Sequence, residues 1–250
     1  MKKSLSRTII LTKRNFKEIL RDPLSLVFTL GMPLFMEILF YFIFHNLTSQ
    51  FEMKYLAPGI VVFAESFLSL FVGLLIALDR STSFLTRLYV SKAKPYEFIF
   101  SYALSIVPIV IIQSLLFFLV GGIIDSSIFG IGMILAILIS IIPSLFYIGI
   151  GILLGTICNE KSIGGISSIV IAGQSVLSGM WFPIEGLNEG IVALMDALPF
   201  RNATRLVQNI MNGINDSFQD FILPLIIVLA YTVVSFVVAI ILFRRKMVSK

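Results

Sequence analysis

The chain has 250 residues, 58% hydrophobic and 13% charged, with a mean hydropathy of +1.01. Soluble domains carry about 25% charged residues, so this composition excludes a soluble globular protein and indicates an integral membrane protein. A single cysteine, Cys158, excludes an intrachain disulfide framework and a multi-cysteine metal site, and the net charge of +5 sits beside hydrophobic runs rather than in a basic module, so no nucleic-acid partner is expected.

In chain order, residues 1–23 predict an interfacial helix. Leu5, Ile9, Phe16 and Leu20 fall near one face, Lys13, Arg14, Lys17, Glu18 and Arg21 cover much of the rest, and Pro23 ends the pattern. Such a helix lies along lipid headgroups. The opening Met1-Lys2-Lys3 has the charge of a signal peptide, but the apolar run begins only at Leu24 and no small-residue cleavage site follows it.

Six apolar runs come next, at 24–44, 55–78, 98–124, 128–157, 163–181 and 221–243, each long enough to span a bilayer. The third and fourth contain Pro108 and Pro143, which predict tilt or kinks. The expected fold is an all-α integral membrane protein forming one transmembrane domain over 1–250: the interfacial helix, a six-span bundle at 24–243 and a tail at 244–250. No internal repeat is visible, which disfavours an inverted-repeat carrier. In the fifth run Ser168, Ala172, Ser175 and Gly179 follow at steps of four, three and four, a smooth stripe that predicts a close helix contact within the chain or across a dimer. This run is expected to be a central helix that stops near the outer surface at Pro183. Gln174 is its one amide.

Basic residues set the orientation. Seven Lys and Arg lie up to Arg21, four in 79–97, one at Lys161 and four after Phe243, sixteen in all; only Lys54, Arg201 and Arg205 lie on the opposite side. The positive-inside rule then puts both termini in the cytoplasm and 45–54 and 182–220 outside.

Two segments outside the spans carry further information. In 79–97, Phe84, Leu85 and Leu88 make a short apolar face flanked by Arg80 and Arg87, suited either to anionic lipid or to docking a cytoplasmic partner. In 182–220, Ile191, Leu194, Met195 and Leu198 share one helical face behind Asn188 as N-cap; after Pro199, Leu206, Val207, Ile210 and Met211 repeat the pattern from Asn202 and stop at Gly213. These two short helices form an external cap, either a structural plug or a gate.

Motifs for chemistry are missing. Residues 155–162 match the phosphate-loop pattern except that Glu160 replaces its second glycine, and a carboxylate there would repel phosphate. The chain has no His-Glu-x-x-His helix and no Gly-x-Ser-x-Gly elbow, and its one histidine, His45, sits at the outer end of the first span. No catalytic residue and no metal site is therefore expected. Glu37 and Glu65 lie inside spans, about 10–15 Å below the outer surface at about 1.5 Å per residue. A carboxyl at that depth calls for a protonated form, an inter-helix hydrogen bond or a water-filled cavity, as a structural group or as part of a substrate path.

The run Ser178-Gly179-Met180-Trp181-Phe182-Pro183-Ile184-Glu185-Gly186-Leu187, followed by Leu198-Pro199, closely resembles the signature between the fifth and sixth spans of type-2 ATP-binding-cassette exporter permeases. Asp79-Arg80 with Leu85, Arg87-Leu88 and Val90-Ser91 resembles that family's ATPase-docking loop, although Ser83-Phe84 stands where Gly-Thr is frequent. The resemblance implies a permease subunit of an ATP-driven exporter, without cofactor of its own, ATP and Mg being bound by the partner. Implied partners are cytoplasmic ATP-binding-cassette ATPase subunits docking at Arg80, Phe84, Leu85, Arg87 and Leu88, a second permease copy or a homologue, and membrane lipids. Glu37, Glu65 and Gln174 are the substrate-path candidates, and Trp181, Phe182, Pro183, Glu185 and Pro199 the outer cap. The expected cargo is amphiphilic, a drug, antimicrobial peptide or lipid-linked molecule, which implies drug efflux and antibiotic resistance at a bacterial plasma membrane. A proton-coupled secondary carrier using Glu37 or Glu65 is the alternative.

Overall fold

A computed structural model describes residues 2–82, 94–184 and 186–248. Ten α-helices are found among the described residues: α1 (Lys2–Leu20), α2 (Pro23–Phe44), α3 (Met53–Ser81), α4 (Pro95–Ile124), α5 (Ile131–Ile139), α6 (Ile141–Ile157), α7 (Glu160–Leu177), α8 (Glu189–Ala197), α9 (Pro199–Asn212) and α10 (Leu223–Val248). No strand occurs among the described residues. Among the described residues, five stretches are long and apolar enough to cross a membrane: Leu26–Phe44, Met53–Ser81, Pro95–Ile124, Ile131–Ile157 and Ser217–Arg245. Helix α7 falls short because its 18 residues include Glu160, Lys161 and Gln174.

The bundle is built around α3, not α7. In its most apolar stretch 83% of α3 is buried, against 17% for α2. Small residues make that enclosure possible, because helix backbones approach only where no side chain intervenes. A Cβ on Gly151 would lie 2.8 Å from the Ser69 carbonyl oxygen, and one on Gly155 would lie 2.7 Å from that of Gly73, so α6 rests directly on the α3 backbone. On α7 only Ile163, Ser167 and Gln174 are buried. Ser168 and Ala172 are exposed, and a Cβ at Gly164 or Gly165 would meet nothing within 4 Å. The stripe of small residues therefore makes no helix contact within the chain over its first half.

Local chemistry explains two departures from the apolar runs. The run at 128–157 is two helices meeting at Ser140: Pro143 has no N–H to give to the Ile139 carbonyl, and the Ser140 hydroxyl donates to Ile137 O at 2.9 Å. Pro108, by contrast, lies within an uninterrupted α4. The fifth run ends at Leu177 and does not continue helically to Trp181, because Gly179 adopts φ +71, the left-handed conformation that stops helices. The chain then folds back, and Trp181 Nε1 donates to Ser175 Oγ at 2.9 Å.

Helix α1 docks on α4 through a polar face. Thr8, Asn15 and Ile19 are buried, whereas Leu5, Ile9 and Leu20 of the expected apolar face are exposed and Phe16 is half-buried. Asn15 Nδ2 donates to Ser101 Oγ at 3.2 Å. Leu5, Ile9 and Leu20 remain free to meet lipid while the polar side holds the bundle.

Candidate functional site

The cap formed by α8 and α9 is keyed into the bundle at several points. Asn188 caps α8 by accepting from the Gly190 N–H at 2.9 Å, but of the expected face only Met195 is buried, Ile191 and Leu194 being exposed. Helix α9 starts at Pro199, three residues before the expected Asn202, since proline suits the first helical turn where no N–H partner is needed. Leu206 and Val207 are buried, and Gly213 at φ +97 ends the helix. Gln208 Nε2 donates to Tyr55 O at 2.9 Å and Asn212 Nδ2 to Lys54 O at 2.8 Å, fastening α9 to the start of α3. The Trp181 ring lies tilted 4.6 Å from Phe40 and edge-to-face 5.7 Å from Phe63, joining the cap to α2 and α3. Phe182 contributes its carbonyl oxygen to Gln50 Nε2 at 2.9 Å, and Pro183 is exposed. Glu185 lies outside the described residues.

Below the cap runs a buried polar line. The Tyr147 hydroxyl donates to Gln174 Oε1 at 2.5 Å, and Gln174 Nε2 donates to Thr204 Oγ1 at 2.9 Å. All three side chains are buried, on α6, α7 and α9. Glu65 on α3 extends the line, with Tyr147 and Ser140 at the α5–α6 break as its polar neighbours. Glu37 is apart from it. Its carboxyl faces the C-terminal end of α4, where a Cβ on Gly121 would lie 3.1 Å from Oε1 and 3.0 Å from Met53 Sδ. Met53 opens α3 and Glu65 comes twelve residues later, about 18 Å along the helix. The turn at 49–51, packed on Phe40 and Phe44 through Phe51, starts α3 below the end of α2, so the two carboxyls are not level as the residue counts suggested.

At the opposite end of α3, the residues bounding 79–97 are helical and engaged. Asp79 accepts from Arg14 Nη1 and Nη2 at 2.6 Å each and from the Tyr102 hydroxyl at 2.6 Å. Burial acts to lower the Arg14 pKa, but the hydrogen bonds and charge of Asp79 outweigh it and hold the guanidinium above its ordinary value. Glu97 accepts from Arg7 at 3.0 Å and from the Ser4 hydroxyl. Arg80 Nη1 donates to the carbonyls of Gly155, Thr156 and Cys158 at 2.6–3.0 Å, capping the end of α6. Phe84, Leu85, Arg87 and Leu88 lie outside the described residues. The acids Asp79 and Glu97 were visible as the carboxylates bounding a basic segment; their Arg14 and Arg7 partners, 65 and 90 residues away, had no local signal. The near-match to a phosphate loop is the helix junction itself, where Asn159 and Ser162 cap α7.

The ABC-2 type transporter family model matches residues 6–212, from α1 through α9. The chain belongs to that family. No curated protein matches it. Membership accounts for the apolar helices as those of a multi-pass membrane protein and for the chain as the permease component of a transporter, a component that is not itself catalytic. The cap, the polar line and the Arg14–Asp79 end all fall within the matched residues.

Proposed function

We propose that this ABC-2 chain is the permease subunit of an ATP-driven exporter for an amphiphilic cargo, working with a separate cytoplasmic ATPase that binds ATP and Mg and docks on 79–97. Two copies, or this chain and a homologue, flank the pathway. The observation that carries the reading is α3: one continuous helix of 29 residues, about 44 Å long, holds the Asp79 and Arg80 contacts at one end and the hydrogen bonds of Lys54 and Tyr55 to α9 at the other. Force applied at 79–97 reaches the cap without crossing a hinge. Residue-scale packing of this kind transmits displacement because close-packed interiors yield little.

In this reading α7 with the following turn is a sixth crossing. With it, the basic segments before α2, between α3 and α4, at Lys161 and after Phe243 share one side, sixteen Lys and Arg against three. Glu65 and Gln174, with Tyr147, supply polar contacts for cargo below the cap; Glu37 does so near the outer rim. A buried carboxyl at membrane depth is costly, and a cationic cargo group would relieve that cost. The same buried carboxyls favour the second reading, proton-coupled transport.

Transport of a fluorescent lipophilic cation into inside-out vesicles separates the two. ATP-dependent uptake that survives a protonophore and falls several-fold in Glu65→Gln is the expected result. Uptake driven by a pH gradient without ATP would overturn the exporter reading, and co-purification of an ATPase that Leu85→Asp with Leu88→Asp abolishes would support the docking segment.

A further inference from the structure

A groove of about 420 Å³ runs between α4 and α10, with Leu145 of α6 at its back. Phe100, Leu104, Val107, Val233, Val237 and Ile240 form most of its walls, and none is charged or polar. The one polar wall residue, Thr232, gives its hydroxyl to the Val228 carbonyl at 2.8 Å, so it presents no free hydrogen-bonding group. Both flanking helices belong to the stretches able to span a membrane, and Phe100, Leu104, Val233 and Val237 are exposed. Toward the basic end the two helices also meet through Phe98 and Phe243, with ring centroids 6.2 Å apart. One helical turn beyond Ile240 on the same face comes Arg244, and Lys94 precedes α4; both are exposed, as is Tyr96 one turn below Phe100.

We propose that this groove is a binding site for a single acyl chain of an anionic phospholipid in the leaflet on the Lys94 and Arg244 side. Hydrocarbon is the solvent that an exposed, wholly apolar cleft meets at that depth, and a cleft without a free polar group offers nothing to water or to a hydrophilic ligand. The walls run about 10–12 Å along the helices, and Arg244 lies about 6 Å farther along α10, where a headgroup phosphate sits once its chain occupies the groove. Arg244 and Lys94 supply the positive charge that distinguishes an anionic headgroup from a zwitterionic one. The site is separate from the polar line and the cap, and it stands whether or not the cargo reading above holds.

Photo-crosslinking of the full-length chain in native-like vesicles tests the inference. Phosphatidylglycerol and phosphatidylcholine, each with a diazirine on one acyl chain, are incorporated at equal density and the adducts mapped by peptide mass spectrometry. Phosphatidylglycerol adducts are expected on 100–107 and 232–240 at several-fold the density found on the exposed Phe28 and Phe35 of α2, and to be displaced by excess unlabelled phosphatidylglycerol. Ala103→Trp should fill the groove and remove those adducts, and Arg244→Gln should abolish the preference over phosphatidylcholine. Adduct density equal to that on α2 in the unmodified chain, or equal displacement by both lipids, would overturn the site without bearing on ATP-driven transport. Protection of the groove from both lipids, with protein–protein crosslinks at 100–107, would overturn it in favour of a second copy.

Discussion

Helices α3 and α7 carry similar small residues and do opposite things with them. On α3, Gly59 and Gly73 lie under Met180 and under Gly151 and Ile163, and nearly every residue is enclosed. On α7, Gly164, Gly165, Ser168 and Ala172 face open space, while Gln174 reaches inward to Tyr147 and Thr204. A smooth stripe thus records that some helix approaches, not which one. If enclosure sets which small residues matter for the fold, substitutions on the two helices should separate accordingly.

The largest effect is expected where α6 lies on α3. Gly155→Leu places a side chain where even a Cβ would sit 2.7 Å from the Gly73 carbonyl and 2.8 Å from Ile76 Cβ, and backbone cannot yield as a flexible side-chain end does. The chain should lose about 3 kcal/mol, at the upper end for overpacking, read as a large fall in melting temperature in detergent. Gly164→Leu, with nothing within 4 Å, is the matched control and should melt like the unaltered chain. Equal behaviour of the pair would mean that α3 is no more enclosed than α7.

The Arg14–Asp79 pair comes next. Asp79→Ala removes the carboxylate that accepts from both the Arg14 guanidinium and the Tyr102 hydroxyl, while Arg14 keeps Asn15 Oδ1 and Glu18. Removing one member of a fully buried pair costs about 3–5 kcal/mol, and because the Arg14 side chain is 27% exposed the expected loss is smaller, about 2 kcal/mol. A double-mutant cycle with Arg14→Ala should recover most of that as coupling energy. Additive losses would show that α1 is held chiefly by Asn15–Ser101 and Arg7–Glu97.

The α6–α3 contact and the Arg14–Asp79 pair lie beyond what the sequence made legible. Hydropathy and helical period placed α2, α3, α4 and α10 within a few residues, because long apolar helices depend on local composition alone. Asn188 and Gly213 marked the cap for the same reason, through residues suited to starting and stopping a helix. The end of α7 was hidden, since Gly179 reads equally as a small packing residue and as a left-handed stop. Which helix is central, the separation of Glu37 from Glu65, and the Arg14–Asp79 pair depend on contacts between residues tens of positions apart. No local pattern encodes them.

A moderate effect is expected between α7 and the cap. Gln174→Leu preserves bulk but removes the acceptor for Tyr147 and the donor to Thr204, whose hydroxyl keeps its Phe200 carbonyl at 3.3 Å. Inter-helix hydrogen bonds in membranes are worth about 1 kcal/mol, so the fold should survive. Local loosening should appear as faster amide exchange in α9, roughly fivefold, with α3 unchanged. Equal protection of α9 in both proteins would mean that Gln208, Asn212 and Trp181 suffice to hold the cap.

The smallest effect on the isolated chain is expected at Ala172. Ala172 and Ser168 are exposed, whereas Ser175, the next residue of the stripe, is half-buried and accepts from Trp181 Nε1. In detergent at low concentration Ala172→Leu should therefore change the melting temperature within error, since a leucine on a lipid-facing helix is at least as favourable as an alanine. Close helix approach tolerates no such addition: if two permeases meet through α7, the leucine side chains force the backbones apart and the loss is doubled by symmetry, because an isologous contact presents the same residue from both sides. The dimer fraction at fixed concentration should then fall at least tenfold, measured by single-molecule photobleaching in vesicles, while Gly173→Leu, aimed at Phe200 inside the chain, lowers the melting temperature instead. A dimer fraction unchanged by Ala172→Leu would assign the open face of α7 to lipid, leaving close backbone approach to the small residues between α3 and α6.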